Sequence, residues 1–441
     1  MTSEQAPEPA DIEAFRHRVR TFLAERVAQY RQHPTGDAED PRSDARRFQA
    51  ELAGAGLAGL SVPVEYGGAG LSPEHEKVFA EEAGRYEFLP SNGLMIGLGM
   101  CVPTILALGT PEQCRRYLPP LLRGEEVWCQ LFSEPGAGSD VASLQTRAVA
   151  DGDEWVVNGQ KVWTSGAQIA DLGMLLARTD SEVPKHSGIS YFAVEMDQPG
   201  MDIRPLREMT GRALFNEVFM TDVRVPDAML IGGRNNGWAV ANTTLANERA
   251  GLGAGGGGAA GGAVPGSKAG YLERRAGDFA AAGRSAVGTA LQGRSGTMLL
   301  DLARDLGRLD DPVLRQDLMR LYTLNEIARF TNLRMKAAKA AGRGPGPEAN
   351  TAKLSMSRIT RLSRDLGLQM VGAGGMLLGE DAPLNGMLGE MALFAPAVSI
   401  YGGSDEIQKN IIGERVLGLP SEPRSDKGVP FNQLKVGTQA G

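Results

Sequence analysis

The chain is poor in the residues that most often carry catalysis by themselves. Only four of its 441 residues are histidine (His17, His33, His75, His186), and none stand at metal-ligand spacing. Three are cysteine (Cys101, Cys114, Cys129), an odd number with no Cys-x-x-Cys pair. A histidine-driven mechanism, a zinc site and a disulfide framework are therefore disfavoured, and reduced thiols suit a cytoplasmic protein. No run approaches the ~20 consecutive apolar residues of a membrane span. Residues 1–10 are polar, with neither a basic nor an apolar stretch, so no secretory leader or transit peptide is expected. The 46 Lys and Arg against 53 Asp and Glu leave a net charge of −7 with no basic block, which argues against nucleic acid as a partner.

What is present suits a large globular core. Hydrophobic residues make up 42% and charged residues 22%, ample for two or three domains. Residues 1–126 read as all-helical. In 11–30, Ile12, Phe15, Val19, Phe22, Leu23 and Val27 form one helical stripe. Ser72-Pro73 has the form of an N-cap with proline at the first helical position. Thr110-Pro111-Glu112-Gln113 has the spacing of a capping box. Residues 127–235 read as a β domain. Glu154-Trp155-Val156-Val157, Asn158-Gly159 and Gln160-Lys161-Val162-Trp163 predict a hairpin turning at Asn-Gly, and 188–196 and 217–225 predict further strands. Residues 236–420 return to helix. A long pattern over 311–341 sets Leu314, Leu318, Leu321 and Ile327 on one side, broken by 342–347, and helices follow over 349–370 and 404–417. The Gly-rich run 251–262 has no assignment, and 421–441 reads as an irregular tail.

Two segments carry the chemistry. One is Ser133-Glu134-Pro135-Gly136-Ala137-Gly138-Ser139-Asp140, with Lys161-Val162-Trp163-Thr164-Ser165-Gly166 beyond it. The other is Ile400-Tyr401-Gly402-Gly403-Ser404-Asp405-Glu406-Ile407-Gln408, running into Asn410-Ile411-Ile412-Gly413-Glu414-Arg415. A Gly-Ala-Gly-Ser turn exposes backbone N–H groups and lets a ligand approach closely. Its plainer reading is an ordinary glycine-rich turn, as the plainer reading of Trp163 is a core tryptophan.

Together these segments resemble the two signatures of acyl-CoA dehydrogenases, and the domain order agrees over about 11–419. The resemblance implies an α+β, multi-domain fold: a helical N-domain, a central β-barrel-like domain and a C-terminal four-helix bundle. It implies FAD, with Phe132 and Ser133 lining the ring, and Gly138 and Ser139 near its pyrophosphate or the substrate. Trp163 would cover one flavin face and Ser165 would hydrogen-bond near N5. Gly367-Leu368-Gln369-Met370-Val371-Gly372-Ala373-Gly374-Gly375 resembles the family's Gln-x-x-Gly-Gly-x-Gly segment, so Gln369, Gly372 and Gly374 would touch FAD of a neighbouring subunit. A glycine-permitted helix crossing is the alternative there. Ser404 and Glu406 would lie on the cofactor side, and Tyr401 and Arg249, with Ser139, on the substrate side.

Two departures from the family pattern matter. Where many members carry the catalytic glutamate, after the motif's tyrosine, this chain has Gly402. Its N–H could still donate to a thioester carbonyl. The base expected instead is Glu248. Trp238, Ala241, Leu245, Glu248 and Leu252 share one helical face, so Glu248 should sit on the apolar side with its pKa raised by burial. Glu248-Arg249 resembles the family branch whose glutamate precedes an arginine on this helix. The alternative is a structural ion pair at a helix end. The second departure is the lack of a clean Arg-x-x-Phe-Gly segment between residues 270 and 300, where Arg274, Arg275, Asp278, Phe279 and Arg284 occur. The expected activity is α,β-dehydrogenation of an acyl-CoA, with electrons passing to an electron-transfer flavoprotein, in a homo-oligomer (dimer or tetramer). Two rivals are a hetero-oligomer subunit with an incomplete flavin site, and a flavin oxidase or monooxygenase on the same fold.

Overall fold

A computed structural model describes residues 9–32, 43–86, 89–213, 215–253, 298–341, 348–377, 381–423 and 426–434. The N-terminal part contains α1 (Pro9–Gln32), α2 (Ser43–Gly54), α3 (Pro73–Ala83), α4 (Val102–Leu108) and α5 (Pro111–Leu122). Phe15, Val19, Leu23 and Val27 of α1 bury their predicted stripe against Phe48, Leu52 and Val78. The Thr110 capping box forms as the spacing requires. Gln113 N donates to Thr110 Oγ1 at 3.2 Å and Thr110 N to Gln113 Oε1 at 3.0 Å. Gln113 Nε2 also donates to Ala228 O and Leu230 O, which ties α5 to the β domain. Ser72 stands at the N-cap of α3 without capping it; its hydroxyl pairs with His75 Nδ1 at 2.9 Å.

The β domain is one sheet of β1 (Trp128–Leu131), β2 (Arg147–Asp151), β3 (Glu154–Ser165), β4 (Leu172–Arg178), β5 (Ile189–Glu195), β6 (Met201–Leu206), β7 (Phe215–Pro226) and β8 (Leu230–Ile231). The order is β6-β7-β3-β2-β4-β5-β8, with β1 parallel to β4. It curls around a core that includes Leu131, Trp155, Val157, Leu175, Phe192, Val218 and Val225. It is barrel-like without closing, because β6 and β8 end the order unpaired with each other.

The Asn158-Gly159 hairpin is not there. Residues 154–165 run through as one strand, and the two-residue turn lies earlier, at Gly152-Asp153, where Gly152 takes φ 69° and Asp151 pairs with Glu154. Asn158 instead faces a bulge in β7, where Thr221 and Asp222 stand opposite it. Its side chain closes that bulge, Nδ2 donating to Asp222 Oδ1 at 3.0 Å and Oδ1 accepting from Asp222 N at 3.1 Å. Gly159 is required by a close approach rather than a turn: a Cβ there would lie 2.3 Å from Thr146 Oγ1. The local turn preference lost to pairing with β7 along the length of the strand.

The C-terminal part contains α6 (Gly237–Gly253), a helical stretch from 298, then α7 (Pro312–Ala340), α8 (Glu348–Val371), α9 (Met387–Val398) and α10 (Asp405–Arg415). Leu314, Leu318 and Leu321 are buried with Ile359, Leu366, Leu388 and Met391. Ile327 does not join them and is 52% exposed. It lies nine residues past Leu318, which at ~100° per residue is the opposite side of the helix. The interruption predicted at 342–347 lies outside the described residues, as do the Gly-rich run from 254 onward and Arg274 to Arg284. Residues 426–434 return to the β domain, where Phe431 N donates to Val183 O and the Phe431 ring lies 3.3 Å from the Arg178 guanidinium. No described helix is long and apolar enough to cross a membrane.

Candidate active site

The first motif forms a tight loop held from below by a buried ion pair. Glu134 and Ala137 exchange backbone hydrogen bonds at 3.1 and 3.0 Å. Lys161, with no exposed surface, donates from Nζ to Phe132 O at 3.0 Å and to Glu134 Oε1 at 2.8 Å. Glu134 also accepts from Gln145 N and Thr146 N. Burial alone would raise the Glu134 carboxyl, but the Lys161 ammonium and these donors outweigh it and hold it below the ordinary carboxylate range. Burial in turn pulls Lys161 below its ordinary value, with Glu134 opposing. Both residues stand in the two motif segments, whose local pattern assigns neither a role. The only local signal is Lys161, a lysine inside a β-branched strand pattern; Glu134 stands in the glycine-rich turn, where nothing marks it for burial.

The second irregularity in β3 presents Trp163. Lys161 pairs with Val218 and Thr164 with Asn216, so Val162 and Trp163 together face the single Glu217. That bulge puts Trp163 at φ 61° and leaves its side chain 57% exposed, with its edge against Phe215. It is therefore not a core tryptophan. Val162 N donates to Ser133 O at 2.9 Å, which brings Ser133 beside it. Phe132 is buried on Tyr191, while Gly138 and Ser139 are exposed and Ser165 is half-buried. A Cβ at Gly138 would meet nothing within 4 Å. A large ring left bare on a rigid strand next to an open glycine turn suits a planar aromatic cofactor.

Glu248 lies half-buried on α6, one turn beyond Thr244. Thr244 is fully buried at a junction of three parts of the chain: its hydroxyl meets Thr104 of α4 at 3.0 Å and Tyr191 of β5 at 3.4 Å. Residues four apart share a helix face, so Glu248 follows the side that α6 packs inward with Ala241 and Leu245. The Arg249 side chain lies outside the described residues.

The second motif is the loop from α9 to α10. Gly402 and Gly403 take φ 63° and 82°, the left-handed region that favours glycine. Gln408 Nε2 donates to Gly402 O at 3.0 Å. Tyr401 N bonds Ala397 O and Asp405 N bonds Ser399 O, but the Gly402 N–H has no hydrogen-bond partner among the described residues. Ser404 accepts from Ile407 N and so caps α10. Glu406 is exposed in the first turn. Gln369 and Gly372 are exposed at the end of α8, where Gly372 turns the chain at φ 54° and Gly374 packs against Pro383. The helix crossing expected of this motif falls on Gly367, where a Cβ would stand 2.8 Å from Leu388 Cδ2.

A helical N-part, a curled sheet carrying a bare tryptophan and a glycine turn, and a helical C-part carrying a second glycine loop define a class. Three family models match in that order: the acyl-CoA dehydrogenase N-terminal domain over residues 9–125, the middle domain over 129–223 and the C-terminal domain over 301–417. The chain is 38% identical to the acyl-CoA dehydrogenase IpdE1 of Mycobacterium tuberculosis, over 94% of this chain and 99% of that one. It belongs to the acyl-CoA dehydrogenase family, whose members are flavin-dependent oxidoreductases. Among solved structures it is similar to the ChsE4-ChsE5 complex of the same organism (27% identity, TM-score 0.71, 96% of this chain and 100% of that one). It is also similar to the Tcur3481-Tcur3483 steroid ACAD (29% identity, TM-score 0.70, 94% of this chain and 99% of that one).

Proposed function

We propose that the protein oxidises the Cα–Cβ bond of an acyl-CoA thioester to the 2-enoyl-CoA, using FAD, and passes the electrons to an electron-transfer flavoprotein. The observation that carries this reading is the placement of Glu248: the only acid of α6, on the inward face, one turn from the Thr104–Thr244–Tyr191 junction. Glu248 removes the α-proton of the bound thioester. The Gly402 N–H donates to the thioester carbonyl as negative charge gathers there, which suits an N–H with no other partner among the described residues. Bound FAD supplies the acceptor for the hydride leaving the β-carbon. Phe132 and Ser133 line the flavin ring, Gly138 and Ser139 lie near its pyrophosphate or the substrate, Trp163 covers a flavin face and Ser165 donates near it. Tyr401 and Arg249 border the substrate, with Ser404 and Glu406 on the cofactor side. Gln369 and Gly372, exposed at the end of α8, and the half-buried Gly374 beyond them reach a neighbouring subunit's cofactor. Much of the rate comes from aligning both C–H bonds against base and acceptor.

The acyl group we assign is a bulky ring system, because a similar solved structure is named a steroid ACAD. A second reading, a subunit of a hetero-oligomer that completes the flavin site only with its partner, is supported by two similar structures that pair two named components. The exposed Ile327 and Phe330 of α7, opposite its buried leucines, and the exposed Tyr322 and Leu333 on its flank suit an assembly of either kind. An anaerobic absorbance titration with straight-chain and steroid-side-chain acyl-CoAs tests the proposal. Bleaching of a bound flavin band by a ring thioester, abolished by Glu248→Gln, is expected. A yellow protein that no acyl-CoA bleaches overturns it, and a colourless one favours the two-component reading.

A further inference from the structure

The loop that offers the Gly402 N–H is anchored by a charged cluster that the family comparison does not assign. Lys353 and Ser357 lie one turn apart on α8, and both are buried. Lys353 Nζ donates to Val398 O, the last residue of α9, at 2.6 Å, and stands 3.6 Å from Asp405 Oδ1. Asp405 is the first residue of α10. Ser357 Oγ links the two ends, 3.1 Å from Val398 O and 2.7 Å from Asp405 Oδ1. Arg361, another turn along α8, donates to Asp405 Oδ2 at 3.1 Å. The ammonium of Lys353 also lies 5.9 Å from the Tyr401 ring centre. One face of α8 therefore grips both ends of a six-residue loop, whose middle is set by Gln408 on Gly402 O.

We propose that Lys353, Ser357 and Asp405 are positioning residues, which hold the α9–α10 loop so that the Gly402 N–H stays aimed at the substrate carbonyl. The physical reason is the loop's own weakness. Two consecutive glycines at positive φ give it more freedom than other residues would, and an oxyanion donor is effective only when it is fixed before the charge develops. The charge of Lys353 is far better spent this way than on substrate, since its donors are already committed to Val398, Ser357 and Asp405. This inference rests on the acyl-CoA reading above for its catalytic consequence, but not for the clamp itself.

Three variants of the full-length flavoprotein test it: Lys353→Met, Asp405→Asn and the small cavity change Ser357→Ala. In each, kcat for an acyl-CoA is expected to fall by about tenfold to a hundredfold, with KM changed by less than about threefold, because a donor misplaced by ~1 Å costs about that much. An aromatic enoyl-CoA bound to each variant should lose most of the red shift that carbonyl polarisation gives it in the wild type. Amide hydrogen exchange over residues 398–405 should quicken by at least about tenfold in the same variants, since local opening sets that rate. If Lys353→Met does not fold, Ser357→Ala carries the test. Unchanged kcat and red shift in variants that bind substrate overturn the inference while leaving the acyl-CoA reading intact. A wild type that oxidises no acyl-CoA sinks that reading, and exchange over 398–405 still decides the clamp: unchanged protection in all three variants overturns it.

Discussion

Two buried lysines, one in the sheet and one in the helical C-part, do similar work, and their differences are instructive. Lys161, in the sheet, holds Phe132 O and Glu134; Lys353, in the bundle, holds Val398 O and Asp405. Each ties a main-chain carbonyl and a carboxylate at the edge of a glycine-containing loop. Lys161 has no exposed surface and a direct 2.8 Å contact to its acid, whose other partners are backbone N–H groups. Lys353 reaches its acid at 3.6 Å with a serine between, and that acid has a half-exposed arginine on its other oxygen. A dry pair with few substitutes is costly to break, whereas a pair backed by a hydroxyl and a solvated guanidinium has partners left.

The largest effect is therefore expected from Lys161→Met. It leaves Glu134 buried and charged, and should cost about 3–5 kcal/mol in denaturant unfolding together with loss of flavin on gel filtration. Lys353→Met should cost less, about 1.5–3 kcal/mol, the range for one hydrogen-bonded charge; equal losses at the two sites would break the comparison. Phe431→Ala tests a third anchor, the tail over Arg178. Arg178 donates to Ala142 O and Leu144 O, which follow the first motif. About 1–2 kcal/mol and faster exchange at 142–144 are expected. The smallest effect belongs to the N-terminal domain, where the buried Glu82 meets Arg16, Arg20 and Arg85, three cations that themselves reach solvent. The hydrogen bond from Arg20, opposed by burial and aided by Arg16, lowers its carboxyl to about 2. A depressed carboxylate stabilises the fold above its unfolded value of ~4.3 and stops doing so as pH falls through the folded one. Glu82→Gln should therefore lower Tm at pH 7, and its difference from wild type should shrink from roughly pH 5 down to pH 2. A difference that held constant over that window would show that the arginines do not act through charge.

Much of the architecture could be read from the chain. The α1 stripe, the Thr110 capping box, the strands over 188–196 and 217–225, and the α7, α8 and α10 helices appear where periodicity and capping chemistry put them. Those signals are local, made by residues within one or two turns of each other. Asn158-Gly159 shows the limit. A strong turn dipeptide became a mid-strand residue facing a bulge, because Asp222, 64 residues away, supplied its hydrogen bonds. Ile327 departs for a simpler reason: nine residues past Leu318 is about half a turn out of phase, so an apolar side chain alone did not put it in the core.

The candidate site divides along the same line. Trp163 is bare only because pairing with β7 bulges β3 there, whereas the residue types, the missing carboxylate at Gly402 and the acid at Glu248 are properties of the sequence, because each follows from what stands at a position in a motif or on a helix face. What holds them is not. Lys161 lies 27 residues from Glu134, and Lys353 lies 45 from Val398, with no periodicity to connect either pair. A buried charge declares its partner only when folding has removed the water that would otherwise serve it. The sequence determined which groups could do the chemistry; the tertiary structure decided which buried charges keep them in place.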